Sequence, residues 1–160
     1  MVNIDRKPPR LAVGERETLM ALWQYQRESV VRKVEGLDPQ QASRRLVDSD
    51  ATLLWLVRHL IRAESLWILG RFAGRHDEVP DDAVASGDSV ESAVADYRAC
   101  WSRIDDVVRR HDLADLAAAD DDNMPPVNLR WIVTHLLEET ARHAGHADIL
   151  REQTDGQLGR

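Results

Sequence analysis

Apolar positions recur at helical spacing in four long segments of the chain, and no stretch alternates in the manner of a strand. Between Gly14 and Glu35 the apolar stripe runs through Leu19, Leu22, Trp23, Val30 and Val34 with a break at Gln26, and Gly36 stands where a helix C-terminus favours glycine. Asp38 followed by Pro39 is an N-cap and first-turn pair, which predicts a short helix over "DPQQASRRL" inside the first connection. Asp48 and Ser49 offer the cap of a second helix over Ala51 to Phe72, apolar on nearly every side and so suited to packing against several neighbours. After Gly74, "RHDEVPDDAVASG" has loop composition, and a third helix is predicted to start at Asp88 with Glu91 in capping-box register. Its seam, Val90, Val94, Tyr97, Trp101, Ile104, Val108 and His111, steps by four and three as in helices that cross at a shallow angle. "DLADLAAADDDNMPPV" is a second long connection, closed to helix by its double proline. Asn128 then caps a fourth helix that runs to about Gln153 and stops before Gly156.

Four helices of this length, each about 30 Å long, are the count of a four-helix bundle. The fold expected is all-α, with residues 1–160 as a single domain and connections after the second and third helices long enough to cross over the bundle.

Composition narrows the partners. Lys and Arg number 21 against 28 Asp and Glu, for a formal charge of -7, with acids gathered at Pro80–Asp82 and Ala119–Asp122. An acidic chain without a basic stripe is poorly suited to nucleic acid or an anionic membrane, and no segment approaches the roughly 18 apolar residues of a membrane span. The lone cysteine, Cys100, fits a reducing compartment, and "MVNIDRKPPR" lacks the apolar run of a signal peptide, so a cytoplasmic protein is expected.

The fourth helix carries the candidate chemistry. In "THLLEETARHAGHADIL", His135, Glu139, His143 and His146 follow one another at spacings of four, four and three. On a helical wheel they share a face with Ile132, Leu136, Arg142 and Leu150, so polar groups stand where a core is expected. Glu139 and His143, four residues apart, lie one above the other and can hold the same ion. His59 on the second helix shares its face with Trp55, Leu56, Ala63 and Leu66, and is the natural third donor of a two-His, one-carboxylate centre that keeps a position open. Plainer readings stand beside this one. Each histidine can be a neutral core residue donating to a carbonyl, and Glu139 can pair with Arg142, Arg58 or Arg62, because an inward carboxylate needs a cation, a metal or a proton.

"LLWLVRHLIRAESLW" and "NLRWIVTHLLEETARHAGHADILRE", with the opening "ERETLMALWQYQRESVVRKVEGL", resemble the DinB superfamily of metal-binding four-helix bundles in its actinobacterial branch, over nearly the whole chain. That group includes the N-terminal domain of mycothiol-dependent maleylpyruvate isomerase and the bacillithiol and mycothiol S-transferases. The resemblance implies that His59, within "HLIRAE", supplies the first metal ligand and that Glu139 and His143 supply the other two. Many members have histidine where Glu139 stands, and glutamate is the form of the mycothiol isomerase branch. His135 falls one turn before the ligands and His146 replaces a common glutamine; both are expected to line the pocket or move protons as catalytic groups. The resemblance thus implies a divalent metal, zinc or alternatively nickel, a low-molecular-weight thiol as co-substrate, a small electrophile as substrate, and a homodimer. A coordinated thiol loses its proton and attacks as thiolate. The same centre would otherwise activate water for hydrolysis, or belong to a dimeric scaffold without catalysis. The isomerase has a further C-terminal domain and this chain ends at Arg160, so isomerase activity is not expected.

Other groups read more plainly. Glu64 is expected to face the core and hydrogen-bond another helix, and Cys100 to be a small buried residue without an activating base. His76 is expected in solvent and His111 at a helix C-terminus; Trp23, Trp55, Trp67, Trp101 and Trp131 are expected in core or dimer packing.

Overall fold

The computed structural model describes residues 7–118 and 125–158; the acidic run at 119–122 lies outside the described residues. The elements are α1 (Glu15–Val34), the four-residue α2 (Pro39–Ala42), α3 (Leu53–Glu64) continuing without a break into a π-helical segment (Ser65–Phe72), a 3-10 turn (His76–Glu78), α4 (Val90–Arg110) and α5 (Leu129–Asp155). The all-α bundle expected from the periodicity is therefore what forms.

The ends of the helices follow local chemistry, with two changes from the expected caps. Asp38 and Gln41 close a capping box on α2 with Pro39 in its first turn, and the Asn128 side chain accepts from the Trp131 amide at the start of α5. Gly156 takes φ 76°, the left-handed conformation that ends α5. Thr52, rather than Asp48 or Ser49, caps α3, since only its hydroxyl stands within reach of the Trp55 amide. Ser89 and Ser92, rather than Asp88 and Glu91, form the box of α4, because Asp88 is taken by the Nε and Nη2 donors of Arg58 at 3.1 and 2.8 Å.

Side-chain contacts at the two ends give the direction of each helix. Arg130 meets Glu15 at one end of the bundle, and Arg151 reaches the Lys33 and Glu35 carbonyls at the other, so α1 and α5 run parallel. Arg58 with Asp88 and Phe72 with His111 make α3 and α4 parallel too. Arg16 donates to the Val108 carbonyl, which sets α4 against α1, and the order is up, down, down, up. One consequence is geometric: the connection over residues 73–89 has to run back along the bundle before α4 starts. The described ends of the connection before α5 lie together, where Ala117 donates to the Val127 carbonyl and Ala118 to that of Phe72.

The core is apolar and continuous, from Trp23, Val30 and Val34 through Leu56, Leu60 and Ile68 to Ile104, Ile132 and Leu136. The α4 seam is buried as expected up to Val108; His111, its predicted last member, is exposed at the helix end, with its ring against Phe72. Two polar devices are set into this core. Arg27, fully buried on α1, makes a bidentate pair with Glu64 at 3.2 and 2.7 Å, and Tyr97 donates to Glu64 at 2.8 Å. Arg27 also lies 3.7 Å over the Trp23 ring and reaches Asp105 at 2.8 Å. This bears out the inward, hydrogen-bonded reading of Glu64. Trp23 in turn donates from Nε1 to Thr140 at 3.1 Å, which fixes the rotation of α5 about its axis.

Candidate metal centre

The two devices just described aim the side chains of the site. With Glu64 held toward Arg27, the residue five positions earlier, His59, is turned out of the core toward α5. With Thr140 held toward Trp23, its neighbour Glu139 is turned toward α3. His143 lies one turn after Glu139 on the same face.

Those three side chains meet. His143 Nε2 lies 3.0 Å from Glu139 Oε1, and His59 Nε2 lies 3.5 Å from the same oxygen. One donor atom from each falls within 4.8 Å of the others. Zinc-type bonds of about 2.0–2.2 Å in a tetrahedron put donor atoms roughly 3.4 Å apart, so the set fits a single divalent ion. None of the three is sealed off: side-chain exposures are 25% for His59, 22% for Glu139 and 12% for His143.

The arginines proposed as partners of Glu139 are engaged elsewhere. Arg142 turns outward to Glu138 at 3.0 Å, Arg58 holds Asp88 and Asp96, and Arg62 donates to the Pro80 carbonyl at 3.0 Å. Among the described residues, the groups that meet the Glu139 carboxylate are the two imidazoles. Burial works against its charge, but His143 and then His59 outweigh it and hold the carboxyl below its ordinary range. Burial, with the neighbouring His59 and His146, pushes His143 below the usual histidine range despite Glu139. Both shifts favour an ionised carboxylate beside a neutral imidazole, the protonation states a metal requires.

The flanking histidines occupy different places. His146 is exposed, with its Nδ1 3.4 Å from His143 Nδ1, so it is placed against the far side of one donor rather than inward as the wheel implied. His135 sits one turn before Glu139 in a cluster of rings, stacked on Trp131 at 5.0 Å and edge-on to Trp67 at 4.9 Å. Trp55 stacks on His59 at 4.8 Å. Aromatic rings from α3, the π-helical segment and α5 thus flank the three donors.

Cys100 is buried, and burial pushes its thiol up to about 11, in keeping with an inert residue. Two participants were not foreseen. Arg27 sits beside the break at Gln26 in the apolar stripe of α1, and the near-empty position in that stripe was the only signal for it. Asp82, from the connection over 73–89, stands 3.4 Å from His59 Nδ1. Its acidity was visible in the sequence; its target, 23 positions away, was not.

A family model described as mycothiol-S-transferase matches residues 18–156. Among solved structures, the chain is similar to the crystal structure of a conserved protein from Enterococcus faecalis, with a TM-score of 0.67 and 16% identity over 91% of this chain and 100% of that one, a likeness of fold. No curated protein matches the chain.

Proposed function

Because the chain belongs to the mycothiol-S-transferase family, a DinB-like family, we propose that it joins a low-molecular-weight thiol to a small electrophile at a divalent-metal centre held by His59, Glu139 and His143. The observation that carries this reading is the Glu139 carboxylate, kept ionised between two imidazoles with Arg58, Arg62 and Arg142 committed elsewhere. An ion bound there would keep a thiol deprotonated at neutral pH. Nitrogen and oxygen donors in this number suit zinc, with nickel as the alternative, and three protein donors favour a substrate-binding centre over a structural one.

The remaining residues handle proton and substrate. Loss of the thiol proton, attack of sulfur on the electrophilic atom and departure of the leaving group with its electron pair complete the transfer. His146 is exposed and touches His143, so it passes a proton between the site and water. His135, packed against Trp67 and Trp131, offers with them the aromatic surface on which a flat electrophile would lie.

The test pairs composition with turnover. Protein purified without a metal-affinity tag is expected to carry near-stoichiometric zinc or nickel that Glu139→Ala loses, and to conjugate mycothiol to a model electrophile such as monobromobimane faster than the mutant does. Equal metal in both proteins, or turnover no faster than the metal-free blank across several thiols, would overturn the reading. Ester hydrolysis in place of conjugation would assign the same centre to water activation.

A further inference from the structure

The parallel course of α3 and α4 forces the connection over 73–89 to travel back beside α3, and that path carries Asp82 to the outer nitrogen of His59. We infer that Asp82 is a positioning residue for the metal centre: its carboxylate accepts the Nδ1 proton of His59 and so leaves the Nε2 lone pair aimed at the space shared with Glu139 and His143. The inference rests on the metal-centre reading above.

Three observations carry it. Asp82 Oδ2 lies 3.4 Å from His59 Nδ1, while Nε2 of the same ring faces Glu139 Oε1, so the two nitrogens have separate duties. The ring between them is held from one face by Trp55, stacked at 4.8 Å with planes 23° apart, which restricts its rotation. The loop is itself fastened at the neighbouring positions: Arg62 donates to the Pro80 carbonyl at 3.0 Å, and Asp81 accepts from the Ala83 amide at 2.9 Å. A carboxylate that takes the proton from the far nitrogen of a ligating histidine selects the tautomer and makes the near nitrogen a stronger donor. An ordinary surface contact between Asp and His would do neither, because nothing would fix the second nitrogen's direction.

The second donor offers a comparison inside the same site. His143 Nδ1 faces His146 Nδ1 at 3.4 Å, an imidazole in the place where His59 has a carboxylate. Removing the carboxylate should therefore cost more metal affinity than removing His146.

The experiment measures metal affinity by chelator competition and the His59 tautomer by nitrogen-15 NMR on the metal-free protein. Asp82→Ala is expected to raise the zinc dissociation constant by about 10- to 100-fold, the usual effect of losing such a partner. Asp82→Asn, which keeps an acceptor without the charge, should fall between. Asp81→Asn, which removes a neighbouring charge but keeps the acceptor of the Ala83 amide and so the fastening of the loop, should leave both readouts at wild-type values. In the metal-free wild type His59 should carry its proton on Nδ1, and Asp82→Ala should move it toward Nε2. Wild-type protein that binds zinc, with Asp82→Ala binding within twofold and an unchanged tautomer, would overturn the inference alone. Wild-type protein that binds neither zinc nor nickel would overturn the metal centre, and the role of Asp82 with it.

Discussion

Glu64 on α3 and Glu139 on α5 are two carboxylates stabilised in opposite ways. Glu64 is sealed in the core with a resident cation, Arg27, and a hydroxyl donor, Tyr97. Burial pushes its carboxyl upward, against the pull of that ion pair. Glu139 stands at a partly open seam, faced only by imidazoles among the described residues, one of which is held toward its neutral form. The first arrangement is complete as it stands and has no capacity for a ligand. The second has acceptors to spare, which is what a cation-binding site needs. A buried carboxylate thus becomes a candidate site by the kind of partner it has rather than by its burial.

The contrast breaks most visibly in stability. Arg27→Ala leaves the buried Glu64 carboxyl without its cation, and should cost about 3–5 kcal/mol by urea denaturation. Glu139→Gln in the metal-free protein should cost about 1 kcal/mol or less, the range of a half-exposed position with no essential partner. A comparable loss at both positions would erase the distinction. Replacing the buried pair together, by Arg27→Met with Glu64→Leu, should recover much of what Arg27→Ala loses.

A smaller effect lies in pH. Burial keeps His143 below the ordinary histidine value of 6.5, so in the metal-free protein the unfolded chain takes up a proton that the folded one refuses. Stability should therefore fall as pH drops through the ordinary histidine value and level off once the folded residue also titrates. His143→Gln should flatten this part of the profile of melting temperature against pH. A wild-type profile with no slope there would remove the electrostatic argument for a neutral donor.

The smallest effect sharpens the comparison from outside. Arg142 shares the face assigned to Glu139 on a helical wheel, yet it pairs with Glu138, both side chains being well exposed. Arg142→Ala should change stability by about 0.5 kcal/mol or less and leave zinc affinity unaltered in the competition assay. A large change in affinity would mean that Arg142 acts on Glu139 after all.

Much of this was legible because helices write their packing into short-range periodicity. The spacing of His135, Glu139 and His143, the cap at Asn128 and the stop at Gly156 all depend on neighbours within a turn or two. The bearing of Arg142 and His146 was missed because a wheel gives a wide inward arc, whereas the real boundary is drawn by Trp23 on Thr140, a contact between residues 117 positions apart. Asp82 was illegible for the same reason, since the path of a connection depends on whether the helices it joins run parallel. The π-helical stretch left no mark either: a helix apolar on almost all sides keeps its pattern whether its hydrogen bonds span four residues or five.

That stretch, Ser65–Phe72, begins directly after Glu64 and so divides α3 by tolerance to change in length. A residue deleted within it would let the wide turns tighten to ordinary helix, re-indexing Trp67 and everything after it while Glu64 and His59 kept their bearings. Insertions and deletions would then be absorbed by the aromatic side of the site and by the loop that carries Asp82, and not by the ion pair in the core. The wide turns act as a vernier, through which the rim of the site can be adjusted with its anchor untouched.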